Sequence, residues 1–248
     1  MLRPGCHPCY LNLSELFSRM TDPLGQAIAD YYFQQKPAKL WIHNTYGPKE
    51  EMPVSAYFRE YADMPELEHA ALQLCKGSIL DIGAGAGSHA LWLQQQDYNI
   101  TALEISEPAC AIMKARGVQN IIQQNIFSYQ EEKYNSLLLL MNGIGLTGTL
   151  NGLRTFLQHA STLLLPGGQL IFDSSDVAYV YEYNLPDLKH YYGEIAYRYE
   201  YKRIKSDWFN WLYIDRFTLS ALATDEGWKF ELITEDQHGQ YLVILRKD

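Results

Sequence analysis

The sequence predicts a doubly wound α/β fold with an N-terminal helical segment and an inserted β-hairpin, and three observations carry that expectation. Short apolar runs at positions 79–82, 100–103 and 137–140 alternate with longer stretches of helical periodicity, the pattern of parallel strands joined by crossover helices. A turn holding Gly83, Gly85 and Gly87 separates the first run from its helix. Two apolar runs close the chain around Gln237-His238-Gly239-Gln240 and read as a terminal hairpin.

Residues 1–76 are expected to form a helical cap over the core. Leu13, Leu16, Phe17 and Met20 fall at helical spacing until Pro23 breaks the run. Asp22 then caps a helix through Ile28, Tyr31, Tyr32 and Phe33, with Pro23 at its first position. The stretch from Leu40 to Pro48 reads as a loop dense in groups able to touch a polar substrate, with His43 and Tyr46 as candidate catalytic residues. Tyr57 and Arg59 follow as candidate substrate contacts. The competing reading makes Trp41, Tyr57 and Phe58 anchors of the cap and leaves His43 and Arg59 solvated or internally paired. Cys6-His7-Pro8-Cys9 is half of a metal or redox motif, but no second pair follows at ligand spacing, so no metal is expected.

The core, residues 77–248, opens with the buried strand Ile79-Leu80-Asp81-Ile82. Glycine has no Cβ and tolerates positive φ, so a ligand can lie almost on the backbone of the turn that follows. A helix through Ala90, Leu91 and Leu93 leads to a second strand that delivers Glu104 at its end. Glu104 follows Gly87 by 17 residues, close to the interval of about 20 at which an acid binds ribose hydroxyls. Ser106 and Pro108 open a helix that runs to Arg116 and stops at Gly117, and Ile121-Ile122 makes a third strand. The run Leu137-Leu138-Leu139-Leu140 has the continuous apolar character of a central parallel strand. The loop after it, Asn142 to Gly148, falls at the carboxyl edge of the sheet, where open α/β folds bind ligands.

A helix from about Leu150 to Leu165 ends at Pro166-Gly167-Gly168, and a fifth strand through Phe172 leads to Asp173-Ser174-Ser175-Asp176. Asp173 is a candidate for orienting or deprotonating an acceptor, although these acids equally suit the cap of a following helix. Tyr197, Tyr199 and Tyr201 alternate with Arg198, Glu200 and Lys202, the period of a half-exposed strand. Ser206-Asp207 turns into a returning strand from Trp208 to Asp215, giving an inserted hairpin at about 190–216. That hairpin is expected to cover the acceptor or to support a dimer. A last helix, Leu219 to Gly227, precedes the terminal strands.

The glycine turn distinguishes two cofactor classes. A nicotinamide fingerprint wants its third glycine five positions after the first, whereas Gly87 follows Gly83 by four and position 88 is Ser. Asp81, Gly83, Gly85 and Gly87 resemble the D-x-G-x-G-x-G first motif of class I S-adenosylmethionine-dependent methyltransferases. The likeness extends over roughly residues 77–248, with Glu104, Asn125-Ile126, Met141-Asn142-Gly143 and Pro166-Gly167-Gly168 following in the family's order. It implies a Rossmann-like mixed sheet of seven strands whose last strand is antiparallel. It also implies S-adenosyl-L-methionine as cofactor, with Asp81, Gly83, Ala84, Gly85 and Gly87 at the turn and Glu104 with Ile105 on the ribose. Asn125 and Ile126 would meet the adenine, and Asn142 and Gly143 the methyl region, with Asn142 a further catalytic candidate and Ile144 beside the substrate. An NAD(P)-dependent oxidoreductase and a catalytically silent binding module of the same fold are the alternatives.

Composition narrows the partners. The chain of 248 residues carries 20 basic and 29 acidic side chains, a net charge of −9, which disfavours a broad phosphate-binding surface. No apolar run reaches the length of a membrane span and no secretory leader pattern opens the chain, so a cytoplasmic protein is expected. Cys6, Cys9, Cys75 and Cys110 are too irregularly spaced for a disulfide framework. The expected partner is a small molecule, and the expected state is a monomer or homodimer.

Overall fold

A computed structural model of the protein describes residues 22–34, 38–181 and 190–247. The helical run through Leu13 and Met20 and the Cys6-x-x-Cys9 motif lie outside the described residues. The described chain opens with α1 (Pro23–Gln34), β1 (Leu40–His43), β2 (Glu50–Met52) and α2 (Glu66–Leu74). Then come β3 (Ser78–Ile82), α3 (Ser88–Gln95), β4 (Asn99–Glu104), α4 (Glu107–Arg116), β5 (Ile121–Gln123) and β6 (Tyr134–Leu139). The remainder is α5 (Leu150–Thr162), β7 (Leu164–Ser175), β8 (Glu194–Tyr201), β9 (Ile204–Lys205), β10 (Phe209–Leu212), α6 (Arg216–Asp225), β11 (Lys229–Glu235) and β12 (Gln240–Arg246).

Seven strands form the main sheet in the order β11-β12-β7-β6-β3-β4-β5. The neighbours from β7 to β5 pair in parallel, and β12 runs antiparallel to both β7 and β11, so one strand is reversed, the last. This is the mixed, doubly wound sheet expected. The run at 137–139 shows why it reads as continuously apolar: Leu137 and Leu139 enter the core under α5 and α6, while Leu138 enters the core on the α2 and α3 side. A strand covered on both faces has no solvent side, and burying each leucine contributes about 1.5–3 kcal/mol. The strand order reverses at β3, with β4 on one side and β6 on the other, and such a switch opens a crevice beyond the carboxyl ends.

Local signals set several boundaries. The Ser106 hydroxyl accepts from Ala109 N at 3.2 Å to start α4, and Gly117, at φ 99°, ends it. Asp22 starts α1 by accepting from Gly25 N at 2.8 Å, and its other oxygen accepts from the Ser106 hydroxyl at 2.6 Å, so the starts of two helices are tied together.

Three expectations need correction. The stretch read as a loop at 40–48 begins as a strand, and β1 and β2 join β8 and β10 in a second sheet of order β10-β8-β1-β2, with β9 paired to β8. The cap is therefore part helix and part sheet. Strand β1 spans only four residues, and its partner β8 lies more than 150 positions away, so no local pattern announces it. The inserted hairpin turns at Lys202-Arg203, where Lys202 takes a left-handed φ of 54°, and Ser206-Asp207 merely interrupts the returning strand between β9 and β10. Finally, Pro166-Gly167-Gly168 lies inside β7, because Leu164 already pairs with Tyr134 before a register shift.

Candidate active site

The carboxyl edge of the main sheet and the inner face of the second sheet enclose a cavity of about 850 Å³. Its floor is the turn between β3 and α3. Asp81, the penultimate residue of β3, has 2% exposure and an Oδ2 atom that has no hydrogen-bond partner. Burial pushes its pKa up to about 6, and the nearby His89 opposes that rise. Gly85 N donates to Glu104 Oε2 at 2.9 Å, while Ile105 N and Ser106 N donate to Oε1 at 2.8 and 2.9 Å. Burial raises the Glu104 pKa, and the three N–H groups pull it back. A carboxylate offers about four acceptor positions, so one remains for a ligand.

Beside Gly83 the place a Cβ would take is open for 4 Å, whereas a Cβ on Gly85 would stand 3.0 Å from the Tyr57 ring. Tyr57, from the segment before α2, thus lies directly on the glycine backbone.

The loop after β6 forms the next wall. Met141 and Asn142 both take left-handed conformations, at φ 63° and 54°, which non-glycine residues hold only when their surroundings enforce it. Asn142 N donates to Asp173 Oδ2 at 2.9 Å, and Asn142 Oδ1 accepts from the Ser175 hydroxyl at 2.9 Å. Gln240 Nε2 also donates to Asp173 Oδ2, at 3.0 Å. Asp173 is fully buried and does not line the cavity; burial pushes its pKa up to about 6 against those bonds. It holds the Asn142 turn in place from below. The capping alternative falls instead to Asp176, whose Oδ1 accepts from Ala178 N at 2.9 Å.

A third wall carries paired charges. Arg59 Nη2 donates to Glu68 Oε1 at 2.6 Å, and His89 Nε2 pairs with Glu68 Oε2 at 2.8 Å. Burial alone would raise the Glu68 pKa, but the His89 bond and the Arg59 charge hold it below the usual carboxylate range. The roof is the second sheet. Ile42, Tyr197, Tyr199, Phe209 and Trp211 line the cavity, and cross-strand pairing sets Ile42 opposite Tyr199 and Phe209 opposite Tyr197. A Cβ on Gly145 would stand 1.9 Å from Trp211 Nε1, so the hairpin rests on the backbone of the loop after β6.

Of the residues singled out by sequence, Asp81, Gly83, Ala84, Gly85, Glu104, Ile105, Asn125, Ile126, Asn142, Gly143, Tyr57 and Arg59 all line this one cavity. Asn125 also caps the short turn after β5 by accepting from Phe127 N at 3.0 Å. Five others are placed elsewhere, Asp173 beneath the Asn142 turn as described above. Gly87 begins α3 against Met113 and Val118, and Ile144 is fully buried in the core. His43 pairs with Glu200 at 2.6 Å on the opposite face of the second sheet. Tyr46 stays outside the lining, its hydroxyl 3.4 Å from that of Tyr197.

A family model described as a methyltransferase domain matches residues 54–233. A crystal structure of a SAM-dependent methyltransferase from Bacteroides fragilis, in complex with S-adenosyl-L-homocysteine, is 42% identical. The match covers 92% of this chain and 95% of that one, with a TM-score of 0.86. The chain belongs to the class I S-adenosylmethionine-dependent methyltransferases. The nicotinamide and silent-module alternatives fall with that assignment.

More distant structures share the methyltransferase fold. The CcbJ methyltransferase of Streptomyces caelestis is 15% identical at a TM-score of 0.63, covering 92% of this chain and 99% of its own. The PH0226 protein of Pyrococcus horikoshii OT3 is 15% identical at a TM-score of 0.59, covering 78% and 96%. No curated protein matches the sequence. Among the described residues, no helix of this methyltransferase is long and apolar enough to cross a membrane, and no group of three or more His, Cys, Asp or Glu side chains is placed to hold a metal ion.

The methyltransferase's cavity fits its cofactor chemically. The partnerless carboxylate oxygen of Asp81 suits a cationic amino group, the open space beside Gly83 admits a ligand against bare backbone, and Glu104 keeps a free acceptor position for a hydroxyl. Sequence reasoning missed Glu68, His89 and Gln240. His89 stood two residues past the last turn glycine, the one local signal available.

Proposed function

We propose that this enzyme methylates a small molecule held wholly inside the cavity, between the glycine turn and the aromatic roof. The observation that carries this reading is the size of the cavity: a volume of about 850 Å³ lies in the range of about 300–1,000 Å³ typical of small-molecule sites, and both sheets contribute to its walls. On this reading Asp81, Gly83, Ala84 and Gly85 face the amino-acid end of S-adenosyl-L-methionine. Glu104 and Ile105 meet the ribose, Asn125 and Ile126 the adenine, and Asn142 with Gly143 the reacting carbon. Tyr57 and Arg59 stand on the acceptor side.

When bound, the cofactor supplies a methyl group already made electrophilic by its sulfonium centre. The chain then has to orient an acceptor lone pair and keep water out, for which positioning alone is worth about 7–11 kcal/mol of barrier. Asp173 fixes the Asn142 turn, Glu68 fixes Arg59 and His89, and Tyr57 closes over Gly85. The free thiols of Cys75 and Cys110 support placing the enzyme in the cytoplasm.

The enzyme is to be incubated with cell extract and S-adenosylmethionine bearing a labelled methyl group, and the extract then ultrafiltered. Label is expected in a new small-molecule species of the filtrate. Label held with protein or nucleic acid in the retentate overturns the reading.

A further inference from the structure

Charge is distributed unevenly around the cavity. Among its lining residues every acid, arginine and histidine lies between Arg59 and Glu104, on the glycine turn, β4 and the segment from Arg59 to α2. All but Asp81, whose free oxygen faces the amino-acid end of the cofactor on the reading above, already have partners within that end: Glu68 with Arg59 and His89, Glu104 with three N–H groups. The roof contributes none.

The reason lies in the pairing of the second sheet. Arg198 is opposite His43 and Glu200 is opposite Trp41, which sends both charges to the outer face. There Glu200 meets His43, Lys49 and Lys205. Tyr197, Tyr199 and Trp211 take the inner face with Ile42. The one acid that pairing aligns with the inner face, Glu50 opposite Ile42, sits exposed on the edge strand, bonds to Asn44 and Tyr46, and does not line the cavity.

We propose that the acceptor is an uncharged, planar aromatic molecule bound against Tyr197, Tyr199, Phe209 and Trp211. This deepens the small-molecule reading above and rests on it.

Two alternatives are physically weaker. A cationic acceptor gains from ring faces, but beside a sulfonium it meets like charge, and no roof carboxylate offsets that repulsion. An anionic acceptor loses its hydration against a roof that offers only phenol and indole dipoles, and the one arginine of the lining, Arg59, is already held by Glu68 at 2.6 Å. Planarity follows from the rings themselves. Tyr199 and Phe209 lie 5.2 Å apart at 36°, and Phe209 and Trp211 lie 6.3 Å apart at 78°, a tilted and edge-on set with which a further flat ring packs well. The amide of Gln240 at the cavity wall can meet its heteroatoms.

The test is calorimetric titration of the full chain, with and without S-adenosyl-L-homocysteine, using naphthol, naphthoate, N-methylquinolinium and decalinol as probes. Naphthol is expected to bind at least about tenfold more tightly than each of the others. Tyr199→Leu and Trp211→Leu should weaken naphthol about fivefold or more while keeping affinity for S-adenosyl-L-homocysteine, and Lys205→Ala on the outer face should change neither. Equal or tighter binding of N-methylquinolinium would show a cation cage, and equal binding of decalinol would show a merely apolar wall. Either result, or no probe binding while S-adenosyl-L-homocysteine binds, overturns the proposal. Failure of S-adenosyl-L-homocysteine itself counts against the cofactor-site assignment, and the probe ranking without it still reads the roof.

Discussion

The two halves of the cavity are made of different material. The floor is main chain and buried carboxylate: bare glycine backbone, Asp81 with an unpartnered oxygen, and Glu104 gripped by three N–H groups. The roof is almost entirely side chain, and its rings belong to a hairpin inserted between β7 and α6. A floor of backbone cannot change its chemistry without changing its fold, which suits a ligand common to a whole family. A roof of exchangeable side chains can be altered without touching the sheet, which suits an acceptor particular to one enzyme. The two meet where Trp211 lies on Gly145 and in an apolar cluster that packs Leu40 and Tyr201 of the second sheet with Ala86, Ala109 and Ile112 of the core.

Three variants probe that division, beginning with the largest effect. Glu104→Ala strikes the floor alone and strands the N–H groups of Gly85, Ile105 and Ser106. The one acceptor position Glu104 keeps for the ligand makes a hydrogen bond to a charged group, worth about 1.5–3 kcal/mol, so affinity for S-adenosyl-L-homocysteine should fall by about 10- to 150-fold in calorimetry. Unchanged affinity would remove Glu104 from the cofactor site.

Asp81→Asn tests the unpartnered carboxyl. Burial lifts its pKa from 3.8 to about 6, so between those values the folded state binds more protons than the unfolded one. Stability of the unliganded enzyme therefore falls as pH rises through that window, by on the order of 3 kcal/mol from this group. Urea unfolding at several pH values should show a slope in the parent that is reduced by this contribution in Asp81→Asn, the remainder coming from Asp173 and Glu104, which burial raises as well. A slope equal in both would mean that Asp81 does not titrate as its burial demands.

Gly145→Ala strikes the joint between the halves. The new methyl group meets the Trp211 ring and should cost about 1–3 kcal/mol of stability. Acceptor turnover should fall while affinity for S-adenosyl-L-homocysteine holds, which denaturation, methyl transfer and calorimetry together would check. Equal loss of both functions would show that floor and roof are one unit.

Much of the floor was legible because its logic is local. Ser106 and Gly117 bound α4, Asp22 with Pro23 opens α1, and the apolar runs at 79–82 and 137–139 become central strands. The alternation from Tyr197 to Tyr201 announced β8, yet it could not say which face would be inward, because that depends on a partner strand from the N-terminal segment. Asp173 looked like an acid at the sheet edge and sits beneath it, since its neighbours Asn142 and Gln240 arrive from β6 and β12. The triad of Arg59, Glu68 and His89 left no pattern, as its members lie on three separate elements.

By itself the sequence determined the parallel core, its glycine turn and the acid that answers it, because strand burial, helix capping and positive φ are decided within a few residues. Only the tertiary structure decided that β1 leaves the expected loop to join β8, that His43 faces away from the cavity and that Trp211 comes down on Gly145. Those outcomes depend on which surfaces meet once the chain is compact, and contact between distant segments follows from packing the whole rather than from the preferences of any part.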